Sequence, residues 1–166
     1  MTIKLHSHSP ADTFLIGETI GQQLKGDEII FLKGELGAGK TLLTKGIASA
    51  LGIKPEEVVS PSFTLINEFR GQRKRNGFND NDYNTSETYR LYHVDLYRLG
   101  PSIENNLPEI DDYIGEGVIV VEWAQFLGTA YLKLNRMIKI TLLLSEENEN
   151  TRILEINTKL KIKIPS

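Results

Sequence analysis

The sequence contains no cysteine, which excludes disulfides and thiolate metal sites and fits a reducing compartment. It has no run of about 18 apolar residues, so it offers no membrane span. Its first ten residues, MTIKLHSHSP, lack the apolar stretch of a secretory signal. The expected location is therefore the cytoplasm, with no membrane partner. An excess of positive charge is missing too, since the formal net charge is −3. Proteins that grip nucleic acid alone usually carry a basic footprint. No DNA binding is expected, and if RNA is involved another subunit has to neutralise most of its phosphates. What is present is ordinary for a globular protein, with 40% hydrophobic and 25% charged residues. The length of 166 residues suits one domain over 1–166. A chain of this size buries about 70% of its unfolded surface.

Local patterns set the expected elements. Ile3–Leu5 reads as a short strand. Ser9, Pro10 and Asp12 then give an N-cap, a proline at the first helical position and an acid in the first turn. That helix is expected to run to about Leu24, with Phe14, Leu15, Ile20 and Leu24 as its apolar side. Glu28–Lys33 reads as a buried strand and Lys40–Leu51 as a helix stopped by Gly52. Further strands are expected at Phe63–Phe69, Tyr89–Asp95 and Val118–Val121, with a short helix at Pro108–Tyr113. Arg70–Thr88 is polar and rich in Gly, Asn and Asp, and reads as a long loop insertion. Met137–Leu144 and Arg152–Ile156 read as a hairpin, and Lys159–Ile164 as a further strand or a frayed end. The order implies an α/β fold with a mostly parallel central sheet and antiparallel strands added in the C-terminal part.

The residues that carry chemistry begin between the first buried strand and the following helix. Gly34–Thr41, GELGAGKT, matches G-x-x-x-x-G-K-[ST] in full and stands where the mechanism needs it. Gly34, Gly37 and Gly39 allow backbone shapes and close approaches that a side chain would block. The N–H groups of Gly37, Ala38, Gly39, Lys40, Thr41 and Leu42 can then turn into one phosphate cradle, reinforced by the helix N-terminus. Lys40 is expected to reach the β- and γ-phosphates, and the Thr41 hydroxyl to ligate Mg2+. This points to ATP and Mg2+ as ligands, in a P-loop three-layer sandwich.

Such a site needs an acid near the metal, at the end of an apolar strand. Asp95 ends YRLYHVD and Glu122 ends VIVVE, both at positions where α/β sheets bind ligands. Asp95 would bind the metal through water or orient the attacking water. Glu122 would hold Mg2+ directly or act as the base. His93 shares the Asp95 side of its strand and reads as a packed, hydrogen-bonded histidine. Trp123, the sole tryptophan, either packs in the core or covers the site.

Four blocks in order, GELGAGKT, SPSFTL at Ser60–Leu65, YHVDLYRL at Tyr92–Leu99 and VVEW at Val120–Trp123, resemble the TsaE family, also called YjeE. The likeness runs from about Leu15 to Leu144. It implies an ATPase, slow alone, that serves the threonylcarbamoyl-adenosine modification of tRNA. The implied partners are the proteins TsaD and TsaB, with tRNA met indirectly through that complex. TsaD would carry the transfer itself. The resemblance makes Ser60–Leu65 a switch-like loop, with Ser62 where the family usually has threonine. It makes Asp95 the Walker-B-type aspartate, Glu122 the metal-associated acid and Trp123 the tryptophan beside the site. Pro10, Thr151 and Arg152 would form the adenine end.

Two features depart from the family pattern. Leu42 stands where a second hydroxyl is common, which removes a side-chain contact to the α-phosphate. The 70–88 loop is longer than expected and opens with RGQRKR, either a solvated insertion or a contact for tRNA or a partner. Rival readings are a small-molecule kinase, with Arg70, Arg73 and Arg75 as a lid, and a module that binds nucleotide without hydrolysis. A GTPase would want an N-K-x-D guanine reader, and none is present.

Overall fold

The computed structural model describes residues 2–61, 64–74, 86–102, 108–127, 134–146, 148 and 150–163. Its centre is β2 (Ile29–Lys33), flanked in parallel by β5 (Val118–Glu122) and β6 (Met137–Leu144). Both β2 and β5 are buried on both sides, which is why each reads as a continuous apolar run. β4 (Ser86–Asp95) adds in parallel beside β5, and β3 (Ile66–Lys74) closes that edge antiparallel to β4. On the other side β7 (Arg152–Thr158) returns antiparallel to β6, and β1 (Thr2–Ser7) lies antiparallel outside it. The seven-stranded order is β1-β7-β6-β2-β5-β4-β3.

The α/β class is as expected, but the sheet is not mostly parallel. Three strand junctions are parallel and three antiparallel. The added antiparallel strands are not confined to the C-terminal part, because β1 and β3 are also antiparallel. Both hairpins, β3–β4 and β6–β7, are local returns. A parallel neighbour needs a crossover helix.

Helices α1 (Pro10–Gly21) and α2 (Lys40–Ala50) cover one face. There Ile30, Leu32, Val120, Ile138 and Ile140 meet Ile20, Leu43, Ile47 and Leu51. The opposite face, carrying Ile29, Phe31, Ile119 and Val121, is covered by Ile110 of the short α3 (Pro108–Asp111), Leu96, Trp123 and Phe126. The period-2 alternation of β2 thus feeds two cores.

α1 starts as the sequence implies. The Ser9 hydroxyl accepts from Asp12 N at 3.1 Å, and Asp12 Oδ2 accepts from His8 N at 2.8 Å. The backbone N–H of His8, with the Ser9 hydroxyl beside it, holds the Asp12 carboxyl below its usual pKa. The buried face of α1 is only partly the expected one. Ile20, and Leu24 just past the helix end, are buried as expected, but Thr13, Gly17 and Gly21 also face inward, while Leu15 is 56% exposed. The cause is a close crossing: a Cβ on Gly46 would stand 2.1 Å from the Phe14 carbonyl oxygen, and one on Gly17 would stand 2.4 Å from that of Leu43. Small residues let the backbones touch. The matching approach of Gly21 to Ala50 makes the two helices parallel, so both N-termini point to the same end of the sheet.

The expected 70–88 loop is shorter than drawn. Arg70–Lys74 extends β3 and Ser86–Thr88 opens β4, in register from Ile66 opposite Val94 to Lys74 opposite Ser86. An edge strand tolerates polar residues that a central strand would not. Residues 75–85, including Arg75, lie outside the described residues, as do Ser62 and Phe63. Lys159–Lys163 forms no strand. No described helix is long and apolar enough to cross a membrane.

Candidate functional site

Three strands point their C-terminal ends at one place. β2 runs into the glycine loop 34–39, while β4 and β5 end in register at Asp95 and Glu122. Gly39, the N-cap of α2, has φ +101°, in the left-handed region where a side chain is strained. This turn aims the first N–H groups of α2 along the loop. A cleft of about 320 Å3 results, lined by Leu36, Gly37, Gly39, Lys40, Thr41, Leu42, Ser60, Asp95, Tyr97, Glu122 and Trp123. The adjacent Lys40 and Thr41, Asp95 and Glu122, drawn from three separate parts of the sequence, therefore line one cleft.

Their hydrogen bonds close on themselves. Lys40 Nζ donates to the carbonyls of Gly34 (3.0 Å) and Glu35 (2.8 Å) and lies 3.8 Å from the centroid of the Trp123 ring. Desolvation lowers the Lys40 pKa, and Glu122 and Asp95 oppose the shift by charge. Thr41 Oγ1 donates to Glu122 Oε2 at 2.9 Å and lies 3.1 Å from Ser60 Oγ. Glu122 is only 2% exposed. Its Oε1 lies 2.8 Å from His93 Nε2 and 3.3 Å from Thr44 Oγ1. Asp95 Oδ1 accepts from Tyr97 N at 2.9 Å, which fixes it at the mouth of the cleft.

Trp123 is both packed and part of the site. It stacks on Phe126, tilts against Tyr97 and contacts Lys40. Its φ of +60° is the one positive value among described non-glycine residues. Such strain persists only where surroundings enforce it, and here three side chains grip the indole.

A second cleft of about 160 Å3 lies behind the loop, lined by Ser9, Pro10, Thr13, Gly37, Ala38, Gly39, Leu42, Asn150 and Arg152. The pairing of β1 with β7 brings the start of α1 beside Arg152. Pro10 and Arg152 thus meet the glycine loop, and Arg152 Nη2 donates to Gly37 O at 3.4 Å. Thr151 does not line this cleft. Its backbone closes the β6–β7 turn with Ser145 and Asn148. Leu42 lines both clefts.

Sequence reasoning passed over Ser60, Thr44 and Asn150. Thr44 carried a signal, because it stands three residues after Thr41 on one helix face. Ser60 stood inside the SPSFTL block. Asn150 had none.

The basic cluster belongs elsewhere. Arg73 donates to the carbonyls of Gly21 (3.2 Å), Gln22 (3.3 Å) and Leu24 (3.1 Å), and its guanidinium lies 4.3 Å over the Tyr89 ring. It ties down the end of α1. Arg70 pairs with Glu68 at 2.9 Å. β3 residues there sit against Leu51, Gly52 and Ile53, the far end of α2 from the glycine loop. Arg70 and Arg73 are therefore not a lid over the cleft.

Mg2+ prefers oxygen ligands and usually takes one or two carboxylates together with substrate phosphates. Thr41, Asp95 and Glu122 offer oxygen only. Among described residues, no three His, Cys, Asp or Glu side chains gather closely enough to hold a metal by themselves. The donor set suits an ion shared with a phosphate ligand.

The family model described as threonylcarbamoyl adenosine biosynthesis protein TsaE matches residues 7–154. The tRNA threonylcarbamoyladenosine biosynthesis protein TsaE of Aquifex aeolicus is 40% identical over 120 residues, 70% of this chain and 73% of that one. The protein of the same name from a Nostoc species is 36% identical over 118 residues, 68% of this chain and 62% of that one. The crystal structure of Bacillus subtilis YdiB superposes with a TM-score of 0.63 at 26% identity, covering 94% of this chain and 84% of that one. With glycine loop, paired strand-end acids and tryptophan in place, the chain belongs to the TsaE family of threonylcarbamoyl adenosine biosynthesis proteins.

Proposed function

We propose that this chain binds Mg–ATP in the larger cleft and hydrolyses it, slowly alone, as an accessory to the TsaD–TsaB pair in threonylcarbamoyl-adenosine modification of tRNA. The observation that supports this best is the shared cleft: Lys40 and Thr41 of the glycine-loop motif line it together with Asp95 and Glu122. Acids beside the terminal phosphate can both hold the metal and orient the attacking water, as hydrolysis requires.

The resting hydrogen bonds suggest how the site loads. Lys40 would exchange two loop carbonyls for β- and γ-phosphate oxygens, so its ammonium keeps acceptors throughout. Burial lowers its pKa, and a phosphate beside it would favour the charged form again. Thr41 would turn its hydroxyl oxygen from Glu122 to Mg2+. The metal would be held by Thr41 and Glu122, with Asp95 directly or through water, and it would offset the repulsion between phosphates and acids. The N-terminus of α2 would meet the phosphates, with that of α1 beside the loop. The base would rest in the second cleft against Pro10 and Arg152. Asp95 or Glu122 would orient the attacking water.

Contact of the γ-phosphate with the Ser60–Leu65 segment would signal to the partner complex, and hydrolysis would remove it. ATP turnover by the purified chain, alone and then with TsaD–TsaB and tRNA, tests the reading. Low turnover alone that rises with the complex is expected. Bound nucleotide with turnover indifferent to the complex would contradict it.

A further inference from the structure

We propose that His93 is a positioning residue for Glu122, holding one carboxylate oxygen so that the other can pass from Thr41 to a metal. The inference deepens the Mg–ATP reading above and rests on it. His93 is fully buried in β4, where its neighbours Leu91, Tyr92 and Val94 are also buried. An apolar side chain would fill such a position without the cost of burying a polar ring. Packing alone does not account for a histidine there.

Its hydrogen bonding does. The ring Nε2 lies 2.8 Å from Glu122 Oε1, and among the described residues Nδ1 has no hydrogen-bond partner. A carboxylate oxygen needs a donor, so Nε2 carries the proton and donates. Among the described residues, the bond to Glu122 is the hydrogen bond that orients the ring.

The two oxygens of Glu122 are held differently. Oε2 accepts from Thr41, the hydroxyl that would leave for the metal. Oε1 accepts from His93 and from Thr44. Thr44 has one hydroxyl proton and also reaches the Lys40 carbonyl at 3.0 Å, closer than Glu122 at 3.3 Å. Thr44 is thus a shared and weaker anchor. Once Thr41 turns away, the His93 bond is the contact that keeps Oε2 aimed at the cleft. Partners outside the ligand shell that fix a ligating group commonly matter this way.

The test compares His93→Gln and His93→Asn in the full chain. A glutamine amide nitrogen reaches about as far along the side chain as Nε2, whereas that of asparagine stops near Nδ1. The affinity of a non-hydrolysable ATP analogue is measured in EDTA and with Mg2+, and kcat and KM are measured with TsaD–TsaB and tRNA. In His93→Asn the metal-free affinity should stay near wild type, while the Mg2+ enhancement should fall by about tenfold or more. kcat should fall with it while KM for ATP moves little, and His93→Gln should recover most of both. If His93→Asn does not fold, His93→Leu, which fills the space without a donor, takes its place. An unchanged Mg2+ enhancement in the variant, with only a lower melting temperature, would overturn the proposal, as would wild-type binding indifferent to Mg2+. Absent turnover in the wild type would count against hydrolysis, while the Mg2+ comparison would still decide the role of His93.

Discussion

The two ends of the sheet hold charge in opposite ways. At the N-terminal ends of the parallel strands, buried Glu28 accepts from the backbone N–H groups of Lys25, Gly26 and Asp27 and from Arg136. Arg73 ties the α1 end to the β3–β4 hairpin there. The Glu28 backbone bonds pin the turn before β2, and those of Arg136 and Arg73 join one element to another. At the other end, Lys40 leans on two loop carbonyls and Thr41 on Glu122. Those partners are ones that a phosphate and a metal can displace. The same chemistry is a fastening at one end and a set of exchangeable contacts at the other.

Substitutions at the two ends should therefore fail differently. The largest effect is expected for Lys40→Ala. Losing charge-assisted bonds to two phosphates should weaken ATP binding roughly 100-fold or more in a calorimetric titration. The fold should suffer less. Removing Lys40 costs two carbonyl hydrogen bonds and the Trp123 contact, but burial lowers its pKa in the folded chain, so its charge works against folding at neutral pH. That cost is present below the folded pKa and fades as pH rises toward the unfolded value. The variant should thus lose less stability at pH 7 than Arg73→Ala does, with the offset shrinking at alkaline pH. An equal loss of stability would erase the contrast.

Arg73→Ala should do the reverse. About 2 kcal/mol of stability should disappear in urea unfolding, since several carbonyls lose a charged donor, with ATP affinity unchanged. A large change in affinity would mean that the two ends are coupled. Ser9→Ala sharpens the comparison, because Ser9 lines the second cleft yet caps α1. A loss of about 1 kcal/mol is expected from the cap, with a small effect on nucleotide. The mildest change should come from Trp123→Phe, which keeps a ring beneath Lys40 at a cost of under about 1 kcal/mol in stability. It should abolish the intrinsic tryptophan fluorescence change expected on nucleotide binding.

The site was more legible than the scaffold around it. GELGAGKT fixed the loop between β2 and α2, and the runs ending at Asp95 and Glu122 placed both acids on adjacent strand ends. β6 spans Met137–Leu144 as its pattern implies. Where a buried surface is built from glycine and threonine, hydrophobic periodicity is silent, and so Ile20 was placed on the buried side of α1 but Thr13, Gly17 and Gly21 were not. Polar Arg70, Gln72 and Arg73 looked like loop because an edge strand needs no apolar alternation. The parallel share of the sheet was overstated because the β1–β7 pairing joins residues at opposite ends of the chain. No local pattern announces such a pairing. Ser60 and Thr44 were missed for a related reason, since their importance lies in reaching Thr41 and Glu122 across the fold.

The most direct test is an isothermal titration of the full chain with a non-hydrolysable ATP analogue and Mg2+, for wild type and Lys40→Ala side by side. One nucleotide bound per wild-type chain, with binding lost in the variant, is the expected result. No binding by the wild type, or equal affinity in the variant, would contradict the assignment of this cleft.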